Sequence, residues 1–168
     1  MRLPPAGKIN LNMKFTIRRA VVTDCEQMMS LIRELAFFEK APDAVTVTPE
    51  HFAESGFGNH PVWQAFVATI PSAHGQKEKI VGLSLYYIRY STWKGQRLYL
   101  EDLIVTEKAR GTGIGKSLFE RTLQEARDLK LNGMTWQVLD WNEPAILFYQ
   151  RYGANIESGW LNCNLTLS

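Results

Sequence analysis

The sequence predicts an α/β fold, with a mixed sheet flanked by helices. Segments rich in β-branched and aromatic residues alternate with segments of helical periodicity along the chain. Near the middle, one strand passes through a glycine-rich loop directly into an amphipathic helix, an order that predicts a ligand at the carboxyl end of that strand. With 168 residues, of which 45% are hydrophobic and 21% charged, we expect one globular domain over 13–168 after a flexible extension over 1–12.

Charge and cysteine content argue against several classes of partner. Nineteen basic and seventeen acidic residues give a net charge of +2, which is too balanced to indicate nucleic acid. No apolar run approaches the length of a membrane span, and the proline-containing opening segment does not resemble a secretory signal. Cys25 and Cys163 lie far apart without metal-ligand spacing. We therefore expect a cytoplasmic protein without a metal, a membrane or a nucleic acid partner.

Each predicted element follows from a local pattern. The predicted strands have β-branched and aromatic content and lie at 14–20, 62–70, 80–90, 97–105, 133–141 and 159–167. The predicted helices have apolar residues at helical spacing and lie at 23–40, after Thr48-Pro49, at 114–130 and at 142–153. Polar residues predict a hairpin loop at 71–79 and a turn at 91–96.

Three of these elements allow finer predictions. Thr23 and Glu26 have the spacing of a capping box at the start of the first helix. The strand at 80–90 is apolar on both faces, as expected for a central strand that is covered on both sides. The side chains of the third helix that should face the core share helical spacing, and they are Ile114, Leu118, Thr122, Ala126 and Leu129.

The segment RGTGIGKS, residues 110–117, looks like a nucleotide-binding loop but matches neither familiar template. A P-loop would need its first glycine at Arg110, and the dinucleotide fingerprint needs a two-residue gap that the alternating glycines lack. Alternate glycines let the backbone approach a ligand, the helix N-terminus favours an anion, and Arg110 and Lys116 add positive charge. A pyrophosphate fits this description, and the alternatives are a plain glycine-rich turn or another phosphate binder.

Two carboxylates interrupt the apolar strand LYLEDLIV. In a regular strand Glu101 and Asp102 face opposite sides, and an unpaired buried carboxylate costs several kcal/mol. One interpretation is that both lie near the end of the sheet, where water or a salt bridge compensates their charge. The other is that they line a cleft, attract a cationic amine and accept its proton.

The segment NEPAILFYQRYG predicts a short helix that Asn142 caps, that has Pro144 in its first turn and that ends at Gly153. It carries Tyr149, whose phenol has an ordinary pKa near 10 and is able to protonate a thiolate leaving group. The alternative is that Tyr149 is a core aromatic with a satisfied hydroxyl.

These motifs together resemble a known superfamily. Arg110 to Gly115 resembles the coenzyme A loop of the GCN5-related N-acetyltransferases (GNAT). YSTWKG, LYLED, RGTGIG, DWNEPA and FY resemble the diamine acetyltransferases and their thialysine-acetylating relatives, over about Lys14 to Trp160. The resemblance implies a mostly antiparallel mixed sheet with splayed central strands, acetyl-CoA as cosubstrate, and direct attack by a neutral amine. It also implies a homodimer in which the terminal strand at 159–167 helps to form the interface and the amine site.

The resemblance also assigns roles to residues. Glu101 would bind the amine and act as base, and Tyr149 would be the catalytic acid. The residues implied in coenzyme binding are Leu103, Ile104, Val105, Arg110, Gly111, Thr112, Gly113, Ile114, Gly115, Lys116, Asn142, Glu143, Pro144 and Ala145. The residues implied in binding the amine substrate are Phe38, Glu39, Ser91, Thr92, Trp93, Glu101, Asp102 and Trp160.

Two departures from the diamine-acetylating relatives bear on the amine. Those relatives have Asp-Pro-Trp where this chain has Ser91-Thr92-Trp93, and EGW where it has SGW, with Ser158 in place of an acid. A neutral hydroxyl lacks the Coulomb attraction that a distal ammonium gains from a carboxylate. We therefore expect a lysine-like amino acid such as thialysine as acceptor. The alternatives are a polyamine acetyltransferase and a non-catalytic coenzyme A binding module.

Overall fold

The computed structural model of the chain describes residues 14–72 and 78–166, and in these it forms a five-stranded sheet and four α-helices. The strands are β1 (Thr16–Arg19), β2 (Gln64–Ile70), β3 (Lys79–Ser91), β4 (Gly95–Val105) and β5 (Met134–Thr135). The helices are α1 (Cys25–Phe38), α2 (Pro49–Phe57), α3 (Ile114–Asp128) and α4 (Glu143–Gln150). The predicted extension at 1–12 and most of the predicted hairpin loop at 71–79 lie outside the described residues.

The sheet has the order β1-β2-β3-β4-β5, in which the first four strands pair antiparallel and β5 pairs parallel with β4. The mixed α/β class is therefore confirmed. One face of the sheet, called here the α1 face, is covered by α1 and α2. The buried residues of its core are Cys25, Met28, Met29, Leu31, Phe52, Trp63, Ala65, Val67, Ile80, Leu83, Leu85 and Ile104.

The opposite face of the sheet packs against α3. A side chain at Gly82 would put its Cβ 2.9 Å from Leu118 and 3.0 Å from Ile114, so the glycine allows the helix to approach the sheet closely. Ser84 and Thr122 share a hydrogen bond of 2.6 Å within this core. β3 is thus buried on both faces from Ile80 to Tyr86, as its sequence predicts, whereas its end from Ile88 to Tyr90 is exposed.

A β-bulge lies in β4 at Glu101. Tyr86 is opposite Leu100 and Leu85 is opposite Asp102, which leaves Glu101 as the extra residue. Since Leu85 belongs to the α1-face core, Asp102 also faces α1. The expectation that the two carboxylates face opposite sides is therefore wrong, because the bulge shifts the alternation by one residue.

β5 is a two-residue edge strand beside β4. β5 pairs with β4 only at Leu98–Met134 and Tyr99–Thr135. Within the described residues, no strand pairs with that side of β4 beyond Tyr99. The carboxyl-terminal half of β4 therefore has backbone groups on an open side, and the splay that the resemblance implies stays a prediction.

Asp24 organises the start of α1. Its carboxylate accepts the N–H of Val21 at 2.9 Å and two guanidinium bonds from Arg18, at 2.7 and 3.1 Å. A 3-10 turn ends at Asp24, and the α-helix begins at the next residue. The α-helix therefore begins one residue later than a cap at Thr23 would place it, because the charge-paired Asp24 occupies the N-cap position.

The predicted inner face of α3 is correct at four of its five positions, since Leu129 is 46% exposed beyond the last turn. The sequence analysis missed a buried acid on this helix, Glu125. Its carboxylate forms ion pairs with Arg19 of β1 and with Arg121 one turn earlier. A buried carboxylate is tolerated here because two guanidinium groups compensate its charge.

A second compact unit begins at Gln137. In α4 the Asn142 carboxamide accepts the N–H of Ala145 at 3.3 Å, and a proline occupies the first turn, as predicted. The strand predictions for 136–141 and 159–166 are wrong, because both segments lie outside helices and strands. A strand needs a hydrogen-bonded neighbour, and the described chain supplies none for either segment. No helix of the described residues is long and apolar enough to cross a membrane.

Candidate active site

The glycine loop has the backbone geometry of an anion cradle. Gly111 and Gly113 have φ angles of 75° and 88°, in the left-handed region that favours glycine. Gly113 immediately precedes α3, and no side chain caps the helix there. The first turn of α3 contains no acid and does contain Lys116, although the helix macrodipole disfavours a cation at that end. The N–H groups and the lysine together favour a bound anion.

Arg110 points away from this cradle. Its Nε donates to the carbonyl of Val105 at 2.9 Å, and its guanidinium lies 4.0 Å from Glu34 and 5.2 Å from the ring centroid of Phe38. Arg110 thus ties the loop to β4 and to the end of α1. Lys116, at the other end of the loop, lies 3.9 Å from Glu120 and remains exposed.

The open side of β4 offers backbone groups beside the loop. The N–H of Thr106 donates to Val81, so alternation directs the backbone of Ile104 toward β3 and that of Leu103 and Val105 to the open side. A Cβ at Gly115 would lie 3.5 Å from the Val105 side chain, so the loop adjoins this strand end. Of the three strand residues predicted for coenzyme binding, Leu103 and Val105 present their backbone there and Ile104 does not.

Three carboxylates, Glu39, Glu101 and Asp102, form what is called here the carboxylate cluster. Burial, together with the charges of Glu101 and Glu39, raises the pKa of Asp102 to about 6. Burial also raises the pKa of Glu39. Glu39 caps the carboxyl end of α1, where the helix carries partial negative charge. The three acids and the helix end therefore give the cluster a negative potential, which favours a cation.

Two stacked tyrosines adjoin the carboxylate cluster on the α1 face. Tyr87 and Tyr99 are opposite each other in the sheet, with ring centroids 5.1 Å apart. Burial raises the pKa of both phenols, and the charge of Glu101 raises them further while that of Arg89 lowers them. The rings thus lie within the field of both an acid and a base, and they form an aromatic wall suited to a short alkyl chain.

The turn between β3 and β4 is organised by Ser91. Its Oγ accepts the N–H groups of Trp93 at 3.3 Å and Lys94 at 3.1 Å. Ser91 shares the α1 face with Tyr87, being four residues further along β3. The Trp93 ring is 83% exposed. Thr92 is exposed in the same turn.

The second unit holds the remaining predicted residues. Tyr149 is buried, and burial raises the pKa of its phenol to about 12. Its ring packs edge-on against Phe148 at 5.3 Å. Asn142, Pro144 and Ala145 form the first turn of α4 with the exposed Glu143. Trp160 is 83% exposed in the irregular terminal segment, and Ser158 is exposed as well.

Sequence reasoning missed three residues of the α1 face, namely Tyr87, Arg89 and Tyr99. The period-2 alternation of β3 was a usable signal, since it groups positions 85, 87, 89 and 91 on one face. The bulge at Glu101 had no comparable signal. Glu101 is an extra residue because of how β4 pairs with β3, and the sequence of β4 alone does not show this.

A family comparison decides the chemistry that this geometry serves. The profile of the Acetyltransferase (GNAT) family matches residues 27–154. The chain belongs to this family. It is 41% identical to thialysine N-epsilon-acetyltransferase of Bos taurus over 140 residues, which cover 82% of both chains. It is 40% identical to the Mus musculus enzyme of the same name over 151 residues, covering 87% of this chain and 89% of that one.

A longer human protein is similar as well. The chain is 36% identical to spermidine/spermine N(1)-acetyltransferase-like protein 1 of Homo sapiens over 150 residues, or 87% of this chain and 22% of that protein. The protein is thus an N-acetyltransferase enzyme, and acetyl-CoA is the acetyl donor of GNAT enzymes.

Solved structures agree with the fold. An aminoglycoside acetyltransferase from an uncultured soil metagenomic sample superposes with a TM-score of 0.71, at 22% identity, over 92% of this chain and 97% of that chain. At this identity the likeness concerns the fold alone.

Proposed function

We propose that this enzyme transfers the acetyl group of acetyl-CoA to the side-chain amine of a lysine-like amino acid such as thialysine, by direct attack of the neutral amine. The proposal rests on the carboxylate cluster, because the bulge at Glu101 turns two acids toward the same face as Glu39. This grouping supports a cationic amine as the acceptor. Thialysine acetylation is the activity named for the 40–41% identical relatives.

The cluster would first bind the amine as an ammonium ion. The amine must then lose a proton before it attacks the thioester carbon, and Glu101 or Asp102 would accept that proton directly or through water. A base works best when its pKa lies near the working pH, and the raised pKa of Asp102, about 6, brings it toward that range. We therefore assign Glu101 to amine binding and proton acceptance and give Asp102 a share in both.

Collapse of the tetrahedral intermediate expels the coenzyme A thiolate. We propose that the Tyr149 hydroxyl donates a hydrogen bond or its proton to this sulfur. A phenol whose pKa is raised to about 12 stays protonated throughout the physiological range, which suits a donor. No acetyl-enzyme is needed, and burial raises the pKa of Cys25, which disfavours its thiolate.

The pyrophosphate of acetyl-CoA would lie against the loop at 110–116, and its pantetheine arm would use the open side of β4. The first turn of α4 at 142–145 is assigned to the coenzyme by resemblance. We place the enzyme in the cytoplasm and propose a homodimer whose interface includes the terminal segment at 159–167.

The neutral turn at Ser91 supports an amino acid over a polyamine. The Ser91 Oγ already accepts two backbone N–H groups, and a serine there offers a distal ammonium no charge. The three carboxylates of the cluster favour the second candidate, a polyamine acceptor such as spermidine.

Turnover with a panel of amines tests the proposal. Release of free thiol from acetyl-CoA is measured with thialysine, lysine, spermidine and spermine, and each product is identified by mass spectrometry and NMR. We expect acetylation of the side-chain nitrogen of thialysine. Acetylation at the α-amine, or no amino-acid product, would contradict the proposal.

The turn provides a second readout of the same proposal. An aspartate at 91 can accept the same two N–H groups, and a proline suits the second position of a turn. The double variant Ser91→Asp with Thr92→Pro should therefore fold and shift the ratio of kcat/KM values toward spermidine. An unchanged ratio would show that this turn does not contact the acceptor.

A further inference from the structure

Arg89 lies on the same face of the sheet as the carboxylate cluster. It follows Tyr87 by two residues in β3, and its guanidinium lies 5.8 Å from the ring centroid of Tyr99. Tyr99 is in turn two residues before Glu101 on β4. The side chain thus extends from β3 over the aromatic wall and toward the acids.

Among the described residues, Arg89 forms no ion pair with a carboxylate. Its side chain is exposed. By contrast, Arg97 is held by Thr135 at 2.8 Å and by the carbonyl of Met134 at 3.0 Å.

The position of Arg89 also has an energetic cost. Arg89 and Arg97 are directly opposite each other in the sheet, and like charges at such positions are destabilising. A bound anion would relieve this repulsion. A guanidinium also binds a carboxylate in a fixed two-pronged geometry that an ammonium cannot match.

We propose that Arg89 binds the α-carboxylate of the acceptor while the carboxylate cluster binds its side-chain amine. The inference rests on the proposed function and names the group that separates amino acids from diamines. An extended lysine spans about 7 Å from its side-chain nitrogen to its carboxylate carbon, given bonds of about 1.5 Å. Two residues of strand, the separation of Tyr99 from Glu101, also span about 7 Å.

This arrangement discriminates against polyamines by charge. A polyamine bound with one nitrogen at the cluster would bring a second ammonium toward Arg89, where the two positive charges repel. An amino acid brings a negative group to the same place. Arg89 and the neutral turn at Ser91 would thus make separate contributions to the preference for amino acids.

Matched pairs of acceptors test the inference. Lysine is compared with 1,5-diaminopentane, and thialysine with bis(2-aminoethyl) sulfide, since each pair differs only in the carboxylate. The values of kcat/KM are measured for the wild type, for Arg89→Met and for Arg89→Lys. Arg127→Met serves as control, because Arg127 is exposed in the last turn of α3 on the opposite face.

We expect Arg89→Met to lower kcat/KM roughly 10- to 100-fold for the amino acids, the range for a hydrogen bond to a charged group. The kcat/KM values for the diamines should stay unchanged or rise. The loss should fall mainly on KM. Arg89→Lys should restore part of the preference for amino acids, and Arg127→Met should leave kcat/KM unchanged for both members of each pair. A loss shared equally by both members of a pair, or no loss, would overturn the inference.

The outcomes also separate this inference from the proposed function. If the wild type acetylates diamines and no amino acid, both fail. If it acetylates thialysine but Arg89→Met leaves the amino-acid preference unchanged, the proposed function stands and the Arg89 inference alone fails.

Discussion

Among single residues, Asp102 shows how the protein maintains an unfavourable charge for its chemistry. It is partly buried beside two further acids, and an ionised carboxylate there costs free energy in the folded state. An incoming ammonium would compensate this cost, so the carboxylate cluster lowers the stability of the free enzyme and raises its affinity for the amine. Tyr149 is different, since burial raises its pKa to about 12 and keeps the phenol neutral.

Asp102→Asn should stabilise the free enzyme in a pH-dependent way. The folded pKa of about 6 exceeds the unfolded value of about 3.9, so between these values the folded state binds more protons and loses stability as pH rises. The asparagine variant lacks this loss. Its gain in unfolding free energy should be near zero below about pH 4 and reach about 1–3 kcal/mol above pH 7. Urea unfolding at several pH values measures it, and a gain independent of pH would contradict the assignment.

Tyr149→Phe should lower kcat roughly 10²- to 10⁴-fold, the range for general acid–base catalysis, with coenzyme affinity nearly unchanged. Tyr152→Phe is the matched control, because Tyr152 is a half-buried tyrosine whose ring packs against the same Phe148. Steady-state kinetics and titration with acetyl-CoA measure both effects. Near-normal turnover of the Tyr149 variant would make this tyrosine a packing residue.

At the scale of elements, most of the fold was predictable and the details of the site were less so. The helices and strands before Gln137 were predicted from the spacing of their hydrophobic residues, because burial of one face of an element imposes that spacing. The burial of Glu125 was not predicted, since its ion pair with Arg19 joins residues distant in sequence. The face shared by Glu101 and Asp102 depends on a bulge, and bulges are set by pairing between strands.

The glycine loop at 110–116 is predicted to bind acetyl-CoA. Acetyl-CoA should stabilise the wild type by about 2.7 kcal/mol at a hundredfold excess over its dissociation constant. At Gly113 a Cβ would meet nothing within 4 Å, so it would project into open space that a ligand would fill. Gly113→Val should therefore abolish the thermal shift that acetyl-CoA produces.

Gly159→Val provides the control for this loop. Gly159 also has a positive φ, of 99°, and open space at its Cβ, so valine imposes similar backbone strain outside the loop. This variant should keep the coenzyme-dependent shift. If Gly113→Val keeps it too, the loop is not the cradle.

At the scale of the whole molecule, acidic and basic side chains are grouped in different places although their total charge is nearly balanced. The net charge is +2, yet acids gather on one face of the sheet and the first turn of α3 has a lysine and no acid. The first arrangement favours an amine and the second a phosphate-bearing donor. The terminal segment is the part that sequence reasoning predicted least well, because its strand pattern has no neighbouring strand among the described residues.

The most direct test of the central claim is the ratio of kcat/KM for thialysine to that for spermidine, measured with saturating acetyl-CoA and the unmodified enzyme. The chain has a neutral turn at Ser91 and an Arg89 that belongs to no ion pair among the described residues, and we propose that both favour an acceptor that has a carboxylate. We therefore predict a ratio of at least about 10, equivalent to about 1.4 kcal/mol. A ratio below one would contradict the account and make the enzyme a polyamine acetyltransferase.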